Sequence, residues 1–219
     1  MTGTLTDINS SYTVELIRKA IHLSSLTFVI VYFYATRSFA LTLIVPLTII
    51  VMTLDIARYY HRPLEEWFYK IFGWLLRRHE SDKKKKRLNG ASYMLISATL
   101  CVFIFPKMIA LTSFIILIVS DTTSALIGRR FGKHRFFGKS LEGSAAFLSS
   151  AMLVILLTPK VEYVAGEYII GIASACVGTV AEALPWEIDD NLSVPLAVGA
   201  AMWIAYIFFY PSLDIYRFG

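Results

Sequence analysis

Charge is scarce in this chain. Of its 219 residues 17% are Asp, Glu, Lys or Arg, while 56% are hydrophobic; a soluble globular domain carries about a quarter charged residues. The shortfall is gathered into long apolar runs, which points to membrane spans, since about 20 mostly apolar residues cross roughly 30 Å of hydrocarbon. Cysteine is equally sparse. Cys101 and Cys176 both lie in apolar runs, too few for a zinc site and poorly placed for a structural disulfide, so two buried thiols are expected. No small-x-small cleavage site follows Tyr32-Phe33-Tyr34. The apolar stretch after Arg18-Lys19 is therefore expected to be a retained span and not a signal peptide. No internal repeat is visible either, which counts against a transporter.

The apolar runs predict an all-α, polytopic membrane bundle of about seven helices, near Val14–Tyr34, Phe39–Tyr59, Gly90–Phe105, Met108–Gly128, Leu141–Leu157, Val164–Leu184 and Val194–Tyr210. Gly90 to Gly128 as one helix would be about 58 Å long at 1.5 Å per residue, so Pro106-Lys107 divides it. With the N-terminus cytoplasmic, the inner segments hold Arg18, Lys19, ten Lys/Arg from Arg58 to Arg87 and five from Arg129 to Lys139. The outer segments hold only Arg37, Lys107, Lys160 and Arg217. Cytoplasmic loops are enriched in Lys and Arg, so the N-terminus is placed inside and the C-terminus outside.

Residues 64–79 repeat Leu64, Trp67, Phe68, Ile71, Phe72, Leu75 and Leu76 at helical spacing among charges, the pattern of an amphipathic helix in the membrane interface. The run Lys83–Arg87 reads as a lipid-headgroup-facing segment, with no nucleic-acid role. The whole chain, 1–219, is read as one membrane-embedded domain.

Intramembrane charge usually faces a cavity or a partner. Glu15, Arg18, Lys19 and His22 share one helix face, Asp55 and Arg58 close the second helix, and Asp121 ends an apolar run with no Lys or Arg within one helical turn. Gly171, Ala175, Gly178 and Glu182 form a stripe of small residues ending in a carboxylate, which should turn Glu182 inward. Glu187, Asp189, Asp190 and Asn191 follow. All fall at the expected cytoplasmic face. Each has a plainer reading: Glu15 with Lys19 and Asp55 with Arg58 as ion pairs, His22 as a packing residue, Asp189 or Asp190 as a helix cap.

The segment from Asp121 to Ser144 is the most informative. Gly128, Gly132 and Gly138 would let backbone approach an anion; Arg129, Arg130, Lys133, Arg135 and Lys139 supply charge; and Ser140 opens a helix whose N–H groups favour phosphate. Residues 128–140 are thus read as a glycine-basic cytoplasmic loop suited to a polyphosphate, with a carboxylate-bound Mg²⁺ completing the site. It is not a P-loop: five residues separate Gly132 from Gly138-Lys139-Ser140 where four are required, and a membrane helix precedes it.

Asp121-x-x-x-Ala-x-x-x-Gly128 followed by Gly138-Lys-Ser-x-Glu142-Gly-Ser resembles the signature of the dolichol kinase, phytol kinase and CTP-dependent diacylglycerol kinase family, distant relatives of the phosphatidate cytidylyltransferases. Glu15-x-x-Arg-Lys-x-x-His22, Asp55-x-Ala-Arg58, Arg87-Leu-Asn89-Gly-Ala91 and Glu182 through Asp189-Asp190-Asn191 to Pro195 extend the likeness almost end to end. The resemblance implies CTP as phosphoryl donor, Mg²⁺, and a membrane lipid alcohol (polyprenol, dolichol, phytol or diacylglycerol) phosphorylated at the cytoplasmic face. A prokaryotic member would lie in the plasma membrane.

On that reading Lys139 and the loop cations hold the triphosphate, Asp121, Glu142, Asp189 and Asp190 are the candidate Mg²⁺ ligands, and Asp121 or Glu182 accepts the hydroxyl proton. His22 and Asn191 would orient. A cytidylyltransferase is the alternative, a transporter a weaker one. The sequence leaves the oligomeric state open.

Overall fold

A computed structural model describes residues 3–76, 86–185 and 187–218, with the backbone alone for residues 3–12. It contains nine α-helices among the described residues: α1 Gly3–Ser24, α2 Leu26–Tyr34, α3 Arg37–Ala57, α4 Arg62–Phe72, α5 Gly90–Ile104, α6 Lys107–Phe131, α7 Leu141–Leu157, α8 Ala165–Ala183 and α9 Asp190–Phe209. Four stretches are long and apolar enough to cross a membrane: Thr13–Tyr34, Arg37–Ala57, Lys107–Phe131 and Asp190–Phe209. The apolar helices α5 and α7 are shorter.

The expected first helix is really two. It is already helical from Gly3 and breaks at Ser25, whose N–H bonds His22 O at 3.1 Å in a tighter turn. The Ser24-Ser25 pair accounts for the break: Ser24 Oγ donates to Ile21 O at 2.6 Å, and serines that bond the preceding turn bend helices. Apolarity marks where the membrane begins, not where the helix does.

The core sits around α6, buried on nearly every side from Met108 to Ser124. It packs on α1, α2, α5, α7 and α9, as an all-round apolar helix should. The small-residue stripe of α8 lets it approach its neighbours. A methyl group on Gly171 would meet Ile155 of α7 at 2.6 Å, and one on Gly178 would meet Val198 of α9 at 2.5 Å. Cys101 is buried, but Cys176 is exposed and both are free. The expectation of two buried thiols fails because Cys176 shares the outward side of α8 with Ile169, Val177 and Val180.

Short connections leave the helices alternating in direction, so the bundle has two ends. One gathers the C-termini of α3, α6 and α8 and the N-termini of α5, α7 and α9; the site lies there. At the far end three basic residues bond carbonyls at helix C-termini. Lys107 donates to Ala35 O at 2.8 Å, Arg37 to Phe103 O, and Lys160 to Ile155 O at 2.5 Å and Thr158 O at 2.6 Å. Cations suit the negative end of a helix dipole.

The expected interfacial helix is α4, extended by a single 3-10 turn at Gly73–Leu75; residues 77–79, like Lys83 to Lys85, lie outside the described residues. Trp67, Ile71, Phe72 and Trp74 are exposed while Phe68 is buried. Phe68 packs under the Arg58 guanidinium, 4.5 Å from its ring centroid.

Candidate functional site

Asp121 lies deep on α6, about 15 Å from the helix end at 1.5 Å per residue, and is 7% exposed. Its counter-ion comes from a different helix. Lys19 Nζ lies 2.5 Å from Asp121 Oδ2 and also donates to the Asp121 carbonyl at 3.3 Å, while His22 Nε2 lies 3.6 Å from the same carboxylate oxygen. Glu15 binds Arg18, one turn on, and Arg129 from the end of α6 at 3.0 Å. Arg18 in turn donates to Leu75 O at 3.2 Å, tying α1 to the interfacial segment.

A second group of carboxylates surrounds Lys139. Its ammonium donates to Glu182 Oε1 at 3.0 Å and Asp190 Oδ2 at 2.8 Å, and Asp121 lies within electrostatic reach. Burial opposes its charge, but Asp190 and Glu182 outweigh burial and hold the Lys139 pKa above its ordinary value. Ser124, one turn past Asp121, donates to the same Glu182 oxygen at 2.9 Å. Glu182 is 1% exposed, and its second oxygen has no hydrogen-bond partner among the described residues. Helical spacing puts Ser124 on the Asp121 face of α6, but its partner on α8 is set by packing alone.

The glycine-basic loop contains regular structure. α6 runs on to Phe131, and the chain then forms a two-residue antiparallel ladder, β1 Arg135–Phe136 with β2 Lys139–Ser140. The turn at Phe137 has a positive φ of 48°. Gly138 N–H donates to Ala183 O at 3.0 Å, pinning the hairpin tip to the end of α8, and this is what carries Lys139 to Glu182. The close approach at Gly132 serves the chain itself: a methyl group there would lie 2.2 Å from Gly128 O and 2.7 Å from Ser140 Oγ. Ser140 caps α7 by accepting from Gly143 N–H at 3.1 Å. Arg130, Lys133 and Arg135 stand exposed around the hairpin.

Several expected members lie elsewhere. Glu142 bonds His134, ring Nδ1 at 2.7 Å and N–H at 3.3 Å, and so braces the hairpin base. Asp189 caps α9 by accepting from Asn191 N–H at 3.0 Å and its side-chain amide at 2.7 Å. Among the described residues no three His, Cys, Asp or Glu side chains form a ready metal cluster, so the set Asp121, Glu142, Asp189 and Asp190 is not assembled.

Asp55, Arg58 and Asn89 belong to a separate lattice. Asp55 Oδ2 accepts from Asn89 N–H and Ser92 Oγ, each at 2.7 Å, and Arg58 Nε lies 2.8 Å from Oδ1. Arg58 and Tyr59 both donate to Arg87 O, at 3.2 and 2.6 Å, and Asn89 caps α5.

No family model matches the chain, and no solved structure matches it. Over 183 residues it is 31% identical to RP860, an uncharacterised protein of Rickettsia prowazekii (strain Madrid E), covering 82% of this chain and 89% of that protein. The chain belongs to the RP860 family. It is also 27% identical over 164 residues to CTP-dependent diacylglycerol kinase 1 of Schizosaccharomyces pombe, covering 68% of this chain and 73% of the yeast protein.

Proposed function

We propose that the protein is a CTP-dependent lipid-alcohol kinase of seven spans, its N-terminus and site on the cytoplasmic side. The observation that carries this reading is the meeting of Lys139, from the Gly-Lys-Ser hairpin, with carboxylates from α8 and α9 beside the buried Asp121. The likeness to the yeast kinase supports CTP as donor and a lipid hydroxyl as acceptor. The excess of Lys and Arg at this end supports the orientation.

The residues also suit a magnesium nucleotide. Glu182 offers a buried oxygen without a hydrogen-bond partner among the described residues and Asp190 a second carboxylate, hard oxygen donors of the kind Mg²⁺ takes one or two of beside phosphates. When bound, the ion would neutralise phosphate charge. Glu142 and Asp189, engaged locally, drop behind Glu182 and Asp190 as ligands.

Phosphoryl transfer is mostly positioning and charge neutralisation. Lys139 turns from its carboxylates to the triphosphate, and Arg130, Lys133 and Arg135 close from the hairpin. The lipid hydroxyl oxygen forms a bond to the γ-phosphorus as the bond to the β-bridging oxygen breaks, releasing CDP. The hydroxyl proton passes to Asp121, which Lys19 and His22 hold in place. Diacylglycerol, polyprenol, dolichol and phytol all present such a hydroxyl.

Purified protein in detergent with Mg²⁺ and γ-labelled CTP or ATP, offered diacylglycerol, polyprenol or phytol separately, tests the reading. Labelled lipid phosphate from CTP is expected. Pyrophosphate release with cytidine entering phosphatidate would make it a cytidylyltransferase instead.

A further inference from the structure

α1 meets the central helix through charge, where α2, continuing the same span, meets it through Phe28 on Phe114. Among the described side chains of α1 the buried ones are Glu15 and Lys19, while Leu16, Ile17, Ile21 and Leu23 face outward. Both buried groups reach α6. Lys19 Nζ lies 2.5 Å from Asp121 Oδ2, and Arg129 Nη2 lies 3.0 Å from Glu15 Oε2. Glu15 is buried and Arg129 is close to half exposed, so the carboxylate is the fixed end of the second pair.

The two pairs have opposite senses. Glu15 precedes Lys19 by one turn, about 6 Å along α1, while Arg129 follows Asp121 by two turns, about 12 Å along α6. The helices are antiparallel here, with negative facing positive on one rung and positive facing negative on the next. Sliding α1 one turn toward the site end would carry Lys19 to Arg129. Sliding it one turn the other way would carry Glu15 to Asp121. Either slip sets like charges together, and their repulsion is strongest where water is excluded. Apolar side chains one turn apart are interchangeable partners; alternating charge accepts one register, as polar and charged positions do in coiled coils.

Glu15 is also a junction. The Arg18 it binds donates to Leu75 O at 3.2 Å, so one carboxylate sets α1 against both α6 and the end of the interfacial segment. The Lys139 hairpin is fastened from another side, by the bond from Gly138 N–H to Ala183 O at 3.0 Å.

We infer that Glu15 is a positioning residue for phosphoryl transfer: by holding Arg129 it fixes the register of α1 on α6, and so the place at which Lys19 and His22 hold the Asp121 carboxylate. The inference rests on the kinase reading for the identity of the reaction. Glu15 acts through Arg129 and α1 on Asp121, and not on the triphosphate at Lys139.

The test uses the full-length protein in detergent, with the exposed Cys176 replaced by serine and spin labels on Ile17→Cys of α1 and Leu157→Cys at the far end of α7, both exposed positions. Because α7 packs on α6, a slide of α1 along α6 changes the distance between the labels, read by pulsed electron paramagnetic resonance. One narrow distance is expected with Glu15 in place. Glu15→Gln should broaden or shift it by up to one turn, about 5 Å, and lower kcat by about 10²-fold, the scale of a small misplacement at a reacting centre, with KM for CTP unchanged. Glu15→Asp, which keeps the charge, should recover the distance and most of the turnover. Arg129→Gln removes the same pair from its half-exposed end, and should move the distance likewise if Glu15→Gln fails to fold. A lower thermal midpoint with distance and kcat unchanged would leave Glu15 a structural anchor and overturn the inference. So would a raised KM for CTP at unchanged kcat. A shifted distance in a protein that transfers no phosphate from CTP would keep the register and overturn the kinase reading. Transfer from CTP with the distance unmoved in both Gln variants would do the reverse.

Discussion

The Lys19 ammonium sits 2.5 Å from the Asp121 carboxylate across 102 positions of sequence, both groups buried. This pair joins α1 to the central helix at the depth where the chemistry is proposed. Removing one partner of a buried pair leaves an uncompensated charge and costs about 3–5 kcal/mol. Lys19→Met should therefore lower the thermal midpoint sharply, and Asp121→Asn should do so less, because an amide can still accept from Lys19. Asp121→Asn should also reduce phosphoryl transfer by about 10²–10⁴-fold, the scale of a lost general base. The double variant should recover midpoint but not activity. Near-normal turnover in Asp121→Asn would remove Asp121 from the chemistry.

Lys139 makes a different kind of prediction. Lys139→Ala leaves Glu182 and Asp190 facing each other without their shared cation, so CTP binding, measured by calorimetry, should weaken at least tenfold while the fold persists. The Lys139 pKa is raised, so its charge is fully present below the ordinary lysine value of about 10.4 and is lost only as pH rises through the higher folded value. Between pH 6 and pH 9 the residue stays charged. An alkaline limb in that interval must come from another group, and Lys139→Arg should keep its midpoint. A limb that moves with this substitution would contradict the assignment.

Much of this architecture is legible in the sequence because apolar helices announce themselves by length and composition: α3, α5, α6, α7, α8 and α9 fall within a few residues of where the runs place them. Ser25 is not legible in the same way, since two adjacent serines in an apolar run bend a helix only when their side chains turn back onto it. The candidate site divides along similar lines. That Asp121 and Glu182 need partners follows from the cost of buried charge, but the identity of those partners depends on which helices are neighbours. Lys19 lies on another helix and Lys139 on a hairpin. Glu15 shows the limit: spacing alone offers it partners on its own helix, among them Arg18, whereas Arg129 reaches it only through the packing of α1 on α6.

Arg58 is fully buried and holds Asp55, Tyr59, the Arg87 carbonyl and the Phe68 ring together. Its place is a clamp between α3, the interfacial helix and the start of α5, not the Lys139 cluster. Arg58→Met should lower stability by about 3–5 kcal/mol by stranding Asp55, while the folded fraction keeps wild-type CTP affinity. Pairing it with Asp55→Asn should restore part of the loss. A folded Arg58→Met protein that cannot bind CTP would instead place the clamp within the site.

At the far end Glu167 is completely buried, and its oxygens accept from the N–H groups of Val161 at 2.8 Å, Glu162 at 2.9 Å and Val164 at 3.2 Å, and from the Tyr206 hydroxyl at 3.1 Å. Lys160 beside it is pushed below its ordinary pKa by burial, with Glu167 opposing. A single carboxylate thus fastens the turn between α7 and α8 and ties it to α9, far from Asp121. Glu167→Gln keeps the shape but replaces one acceptor oxygen with a donor that faces other donors. Each bond to a charged acceptor contributes about 1.5–3 kcal/mol, so a clear drop in thermal midpoint is expected. Tyr206→Phe, which removes one of the four, should cost about 1–3 kcal/mol. Neither should change KM for CTP, because the turn precedes the N-terminus of α8 while Lys139 meets Glu182 at the other end of that helix. A change in KM without a change in midpoint would show that the two ends of the bundle are coupled.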